Sequence, residues 1–122
     1  MLRTLVFCMP QEPLTIEDIS GSSNEHRILS LYGPVTIGNL YELQSKVRAD
    51  RSATLILDLT KVPYIDSAGI GALVGAYVTH QKEGSRLLLV GINERVLNAL
   101  KVTRVEQFFT FFDTLASAEQ ST

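Results

Sequence analysis

The chain has 122 residues, 45% of them hydrophobic and 20% charged, with a formal net charge of −2. That length suits one domain able to bury its own core without disulfides or a metal. So small a negative charge gives no electrostatic footprint for nucleic acid and argues against direct binding to it.

The single cysteine, Cys8, has no internal partner, which points to a reducing compartment. No stretch reaches the ~20 apolar residues of a membrane span, so direct membrane insertion is not expected. The run Leu5–Met9 is too short for a signal-peptide core and meets Pro10 at once. A cytoplasmic location is the expectation.

Residues 1–13 read as an N-terminal arm or a short extra strand, with Thr4 to Met9 its apolar part and Pro10 and Pro13 bracketing a turn. Leu14 to Ile19 alternates well enough for a strand, Ser20 to Asn24 is turn chemistry, and Arg27 to Tyr32 is the next strand. Together they suggest an antiparallel hairpin. Gly33-Pro34 ends it. A helical period from Ile37 to Ala49 follows, with Thr36 as its expected cap, and Asp50-Arg51-Ser52 links onward.

Thr54 to Leu59 is a continuous apolar run broken only by Asp58, which reads as a strand buried on both faces. After the loop Thr60 to Pro63, helical spacing returns from Ser67 to Lys82. Ile70, Leu73, Val74, Tyr77 and Val78 are its expected stripe, and Gly84 its stop. Arg86 to Gly91 reads as another apolar strand, and Asn93 as the cap of a helix to Lys101. Val105 to Phe109 suggests a helical turn, Phe111-Phe112 an edge strand, and Asp113-Thr114 the cap of a last helix through Ala118. Phe108, Phe109, Phe111 and Phe112 are expected in or beside the core. The alternation predicts parallel strands with right-handed crossovers: an α/β domain of one mixed sheet, residues 14–118, before a frayed 119–122.

The junction Asp66-Ser67 opens the second helix. The first N–H groups of a helix lack internal partners, and a Ser or Asp side chain there accepts one of them. Gly69 and Gly71 lie in the same turn, each costing ~1 kcal/mol against Ala. Two readings follow. In one, Ser67 is only a cap and the glycines relieve packing. In the other, Ser67 presents a hydroxyl on a small-residue platform that a partner can approach.

Enzyme readings find little. A serine hydrolase lacks the nucleophile-elbow glycine and a base, because His80 falls ~20 Å along the helix from Ser67 and both histidines read as surface residues. No complete phosphate-binding glycine loop occurs. A receiver domain phosphorylated on Asp58 is the better rival, but Glu17-Asp18 is its only candidate metal-binding pair. Asp58 reads as an acceptor for loop N–H groups.

The run Leu57-Asp58-Leu59-Thr60-Lys61-Val62-Pro63-Tyr64-Ile65-Asp66-Ser67-Ala68-Gly69-Ile70-Gly71-Ala72-Leu73 resembles the signature of STAS domains, found in bacterial anti-sigma-factor antagonists and in sulfate transporters. The resemblance implies the STAS fold, about four strands with four to five helices, and a regulator with neither catalysis nor cofactor. Ser67 matches the family's phosphorylated serine and Asp66 the acid before it. Asp58 matches the aspartate closing the strand, and Ala68, Gly69, Ile70 and Gly71 match the helix start that a partner covers. Gly33 and Thr36, on the loop beside that site, complete the expected partner surface. The implied partners are an anti-sigma factor acting as an ATP-dependent serine kinase, and a phosphatase, with a weak homodimer as a further possibility. The loop departs from the antagonists' acidic pattern: Gly33-Pro34-Val35 is closer to transporter-linked members. A scaffold in a stress-signalling complex or a transporter subunit is therefore the alternative.

Overall fold

The computed structural model describes residues 13–20 and 25–121. The expectations for residues 1–12 and for the turn at 21–24 lie outside the described residues. Strands β1 (Thr15–Ser20) and β2 (His26–Tyr32) pair antiparallel, with Thr15 opposite Tyr32. Strands β3 (Thr54–Lys61), β4 (Arg86–Val90) and β5 (Thr110–Phe112) add in parallel, giving one sheet in the order β1-β2-β3-β4-β5. Helices α1 (Tyr41–Ala49), α2 (Ser67–Glu83) and α3 (Glu94–Val102) make the crossovers. A 3₁₀ turn (Glu106–Phe108) leads into β5, and α4 (Leu115–Gln120) closes the described chain. The edge strand expected at Phe111-Phe112 is β5, and it makes five strands where the resemblance implies about four.

Side-chain alternation along β3 sorts two cores. Leu55, Leu57 and Leu59 face α1, α2 and α3, packing with Leu43, Leu73 and Leu100. Ile56 faces the other way, with Ile28, Leu88 and Val90 under Ala118 of α4. Each buried leucine or isoleucine contributes about 1.5–3 kcal/mol. The continuous apolar run of β3 is what a strand covered on both faces requires.

Helix α1 begins at Tyr41 rather than Ile37, and Thr36 is not its cap. Asn39 claims that stretch for a turn. Its Oδ1 accepts the Thr36 N–H (3.0 Å) and its Nδ2 donates to the Pro34 carbonyl (2.8 Å). Leu40 takes the cap position without a side-chain bond.

The buried stripe of α2 is Gly69, Leu73, Ala76 and His80, while Val78 is exposed. Gly84 ends the helix at φ +73°, in the left-handed conformation glycine adopts most readily. Phe109 joins the core, Phe111 and Phe112 are half-buried, and Phe108 is exposed, stacked on Tyr77 at 5.4 Å.

The histidines correct the surface expectation. His80 is 3% exposed. Its Nδ1 lies 2.9 Å from the Ala76 carbonyl and its Nε2 3.1 Å from Asp50 Oδ2. Asp50 also accepts the Ser52 hydroxyl (2.9 Å) and stands 3.5 Å from Arg27 Nη1. A polar ring can be buried there because both nitrogens have partners. His26 is mostly covered too, 3.9 Å from Glu119.

Candidate functional site

The site lies where the sheet ends and its loops begin. Past β2, Gly33 takes φ +121°, and its N–H donates to the Lys61 carbonyl (3.2 Å). A Cβ at Gly33 would collide with the Pro13 carbonyl oxygen, so both conformation and space require glycine. Beyond it, the Val35 N–H donates to the Tyr64 carbonyl and the Asp66 N–H to the Val35 carbonyl, each at 3.2 Å. These bonds extend the β2–β3 pairing into the two loops and bring residues 33–37 against the start of α2.

Asp66 is the clip. Its Oδ1 accepts the Gly69 N–H (2.9 Å), capping α2, while Oδ2 accepts the Ile37 N–H (3.0 Å) from the other loop. The cap is therefore Asp66, in extended conformation, and not Ser67. Ser67 is the first helical residue and is exposed. Among the described residues its hydroxyl makes no hydrogen bond, so it is open to chemistry at a helix N-terminus, where the unpaired N–H groups favour negative charge.

The neighbours of Ser67 divide by role. Ala68 and Ile70 are half-buried against the core. Gly69 is buried, and a Cβ there would collide with the Val35 carbonyl oxygen. Gly71 is exposed, with nothing among the described residues within 4 Å of where its Cβ would be. Thr36 lies half-buried on the clipped loop. Asp58 is not brought to this cluster. Alternation places it with Ser30 and Val90 on the α4 face of the sheet, where Oδ1 accepts the Thr60 N–H (3.1 Å) and hydroxyl (2.6 Å). Nor do Glu17 and Asp18 converge on Asp58 as a pair: they alternate along β1, so that Glu17, which accepts the Tyr32 hydroxyl, lies in the cross-strand row of Ser30 and Asp58, whereas Asp18 turns to the opposite face and meets Arg27 and Lys46.

Three residues that the sequence did not assign to the site shape the rim. Ile37, held by Asp66, is 77% exposed. The Arg95 guanidinium stacks over the Tyr64 ring, 4.9 Å from its centroid. Asn93, foreseen as the cap of α3, also donates through Nδ2 to the Val62 (3.2 Å) and Pro63 (3.1 Å) carbonyls, pinning the loop before Tyr64. Ile37 reads as the first residue of a helical period, which hid its place on the rim, and the stacking had no sequence signal. Among the described residues no three His, Cys, Asp or Glu side chains gather as metal ligands, and no helix is long and apolar enough to cross a membrane.

The STAS domain family model matches residues 19–118, so the chain belongs to the STAS domain family. An anti-sigma-B factor antagonist of Listeria monocytogenes is 39% identical over 49 residues, 40% of this chain. That match spans 43% of the Listeria protein, less than half its length. The anti-sigma-B factor antagonist of Bacillus subtilis is 27% identical over 88 residues, covering 70% of this chain and 80% of that one. The Thermotoga maritima protein TM1081 superposes with a TM-score of 0.79 at 22% identity, over 87% of this chain and 92% of its own. The Bacillus protein SpoIIAA in its phosphorylated form gives 0.70 at 12% identity, over 88% of this chain and all of its own (100%). These superpositions show the STAS fold.

Proposed function

We propose that the protein is an anti-sigma-factor antagonist that works by partner switching. Unmodified, the surface around Ser67 binds an anti-sigma factor with serine-kinase activity. Phosphorylated on Ser67, it lets go, and a phosphatase resets it. The observation that supports this reading most is the exposed Ser67 hydroxyl beside a cap supplied by another residue. A serine needed for capping would lose a stabilising bond on modification; this one would not. Relatives named for antagonising an anti-sigma factor agree with it.

The electrostatics suit a switch that leaves the fold intact. Phosphate adds about −1.5 to −2 charges at pH 7. The N-terminus of α2 accepts such charge, whereas the Asp66 carboxylate opposes it. A bulky dianion then stands in the middle of a contact surface, and ~4 kcal/mol lost there lowers affinity about a thousandfold.

The test is to purify each ATP-binding anti-sigma kinase encoded in the source genome and incubate it with the chain and ATP. Peptide mass spectrometry should find one phosphate, on Ser67, and Ser67→Ala should abolish it while still forming the complex. Phosphate elsewhere, or none with any kinase, contradicts the proposal. Gly33-Pro34, in place of the antagonists' acidic loop, favours the second reading of a constitutive scaffold or transporter subunit. In that case a transporter or stress-complex component binds Ser67→Asp and wild type alike.

A further inference from the structure

We infer that the groove between α1 and α2 seats a helix of the anti-sigma factor, laid along the ridge of α2 that starts at Ser67. The inference rests on the partner-switching reading. Ser67, Gly71, Gly75 and Thr79 recur every four residues and so form one ridge. Tyr41, Gln44 and Arg48 form the matching row on α1. Between them runs an open groove of about 200 Å³, with Val47 and Leu73 in its lining.

Among the described residues nothing requires glycine at positions 71 and 75. Glycine is the poorest helix former after proline. Gly69 is required by the Val35 carbonyl oxygen against it, but a Cβ at Gly71 or Gly75 meets nothing within 4 Å, and both are exposed. What their bare backbone permits is close approach from outside. At the Ser67 end stand two large apolar side chains in water, Ile37 at 77% and Tyr41 at 76% exposure. The Asp66 clip holds the first of them against the helix start.

Charge narrows the occupant. Arg48 is the only ionisable side chain among the described residues that line the groove. The surface fits an amphipathic helix with a small-residue face and an acidic side chain directed at Arg48. A phosphate on Ser67 would stand at the head of the groove, blocking that helix and repelling its acid. The device that releases the partner and the surface that holds it are then one ridge.

The probe is the purified kinase that phosphorylates Ser67 in the experiment above. Gly75→Leu fills the groove about 12 Å from Ser67. It is expected to weaken kinase binding about a hundredfold without lowering the melting temperature. Arg48→Glu, at an exposed position, should weaken it in the same sense, and Gly75→Ala less than Gly75→Leu. Unchanged affinity in both Gly75→Leu and Arg48→Glu overturns the inference while leaving Ser67 phosphorylation, and so the switch, standing. A wild-type dimer in light scattering that Gly75→Leu dissolves, with kinase binding intact, assigns the groove to a second copy instead. A disulfide from Cys8 to Gly75→Cys assigns it to the N-terminal segment. Failure of every kinase to phosphorylate Ser67 removes the switching reading and this occupant together.

Discussion

Asp66 spends each carboxylate oxygen on a different element, so its loss should be felt in two places. Asp66→Ala removes the α2 cap and frees the Ile37 loop; a cap alone contributes about 0.5–2 kcal/mol. The expected result is a destabilisation at or above the upper end of that range in urea melts, with Asp66→Asn milder because its amide oxygen still caps. The glycines should respond with opposite signs. Gly69→Ala drives a Cβ into backbone and should cost about 1–3 kcal/mol, whereas Gly75→Ala should gain up to ~1 kcal/mol. A loss at Gly75 in the same melts would contradict the open space around it. At this scale the sequence made the Asp66-Ser67 step legible but not its division of labour. Both residue types cap helices, and only the observed geometry shows which side chain turns back onto Gly69.

Helix α2 is fixed at both ends by carboxylates, Asp66 at its start and Asp50 beside His80 near its end. The second contact was not legible. Asp50 reads as a linker residue, and His80, although seven residues after Leu73 on the inward stripe, is polar and so reads as surface; pairing across 30 residues leaves no local pattern. Removing one partner of a buried hydrogen bond leaves the other unsatisfied and costs about 1–3 kcal/mol, more where the group left behind is charged. Asp50→Ala and His80→Ala should each approach that in urea melts. The double variant should cost less than their sum, because the second loss has no partner left to orphan. Additivity would mean that the two side chains do not interact.

At the sheet edge, the Arg27 guanidinium donates to Asp18 and holds its carboxyl below the ordinary value of 3.8. Asp18 thus stays ionised further into acid when folded than when unfolded. Its stabilisation is complete above the ordinary value and is lost as pH falls through the lower, folded one. Asp18→Asn should flatten the melting-temperature profile below about pH 4, its cost being greatest near pH 7 and vanishing in acid, and modest throughout because the pair is partly solvated. An unchanged acid limb would show that the pairing carries no linkage.

For the molecule as a whole, the order of elements and the mixed sheet were legible because hydrophobic periodicity reports burial, and burial decides the fold. Apolar runs at β3 and β4 marked strands covered on both faces, and the turn signals between them left room for helical crossovers. Less legible was which residues share a face at the site. Asp58 lies nine residues before Ser67 and shares its signature run, yet strand alternation sends it to the opposite face of the sheet. Ile37, thirty residues before Ser67, arrives beside it through the pairing of the two loops and its own backbone bond to Asp66. Sequence proximity and site membership part company wherever a strand reverses a side chain's direction.

The most direct test of the switch is the affinity of the identified anti-sigma kinase for two otherwise identical preparations of the chain, one unmodified and one with phosphoserine installed at position 67 during synthesis. The expected result is a fall in affinity of about a thousandfold on phosphorylation, with the same circular-dichroism melt for both. Equal affinities would contradict the switch and leave Ser67 an exposed residue with no part in partner release.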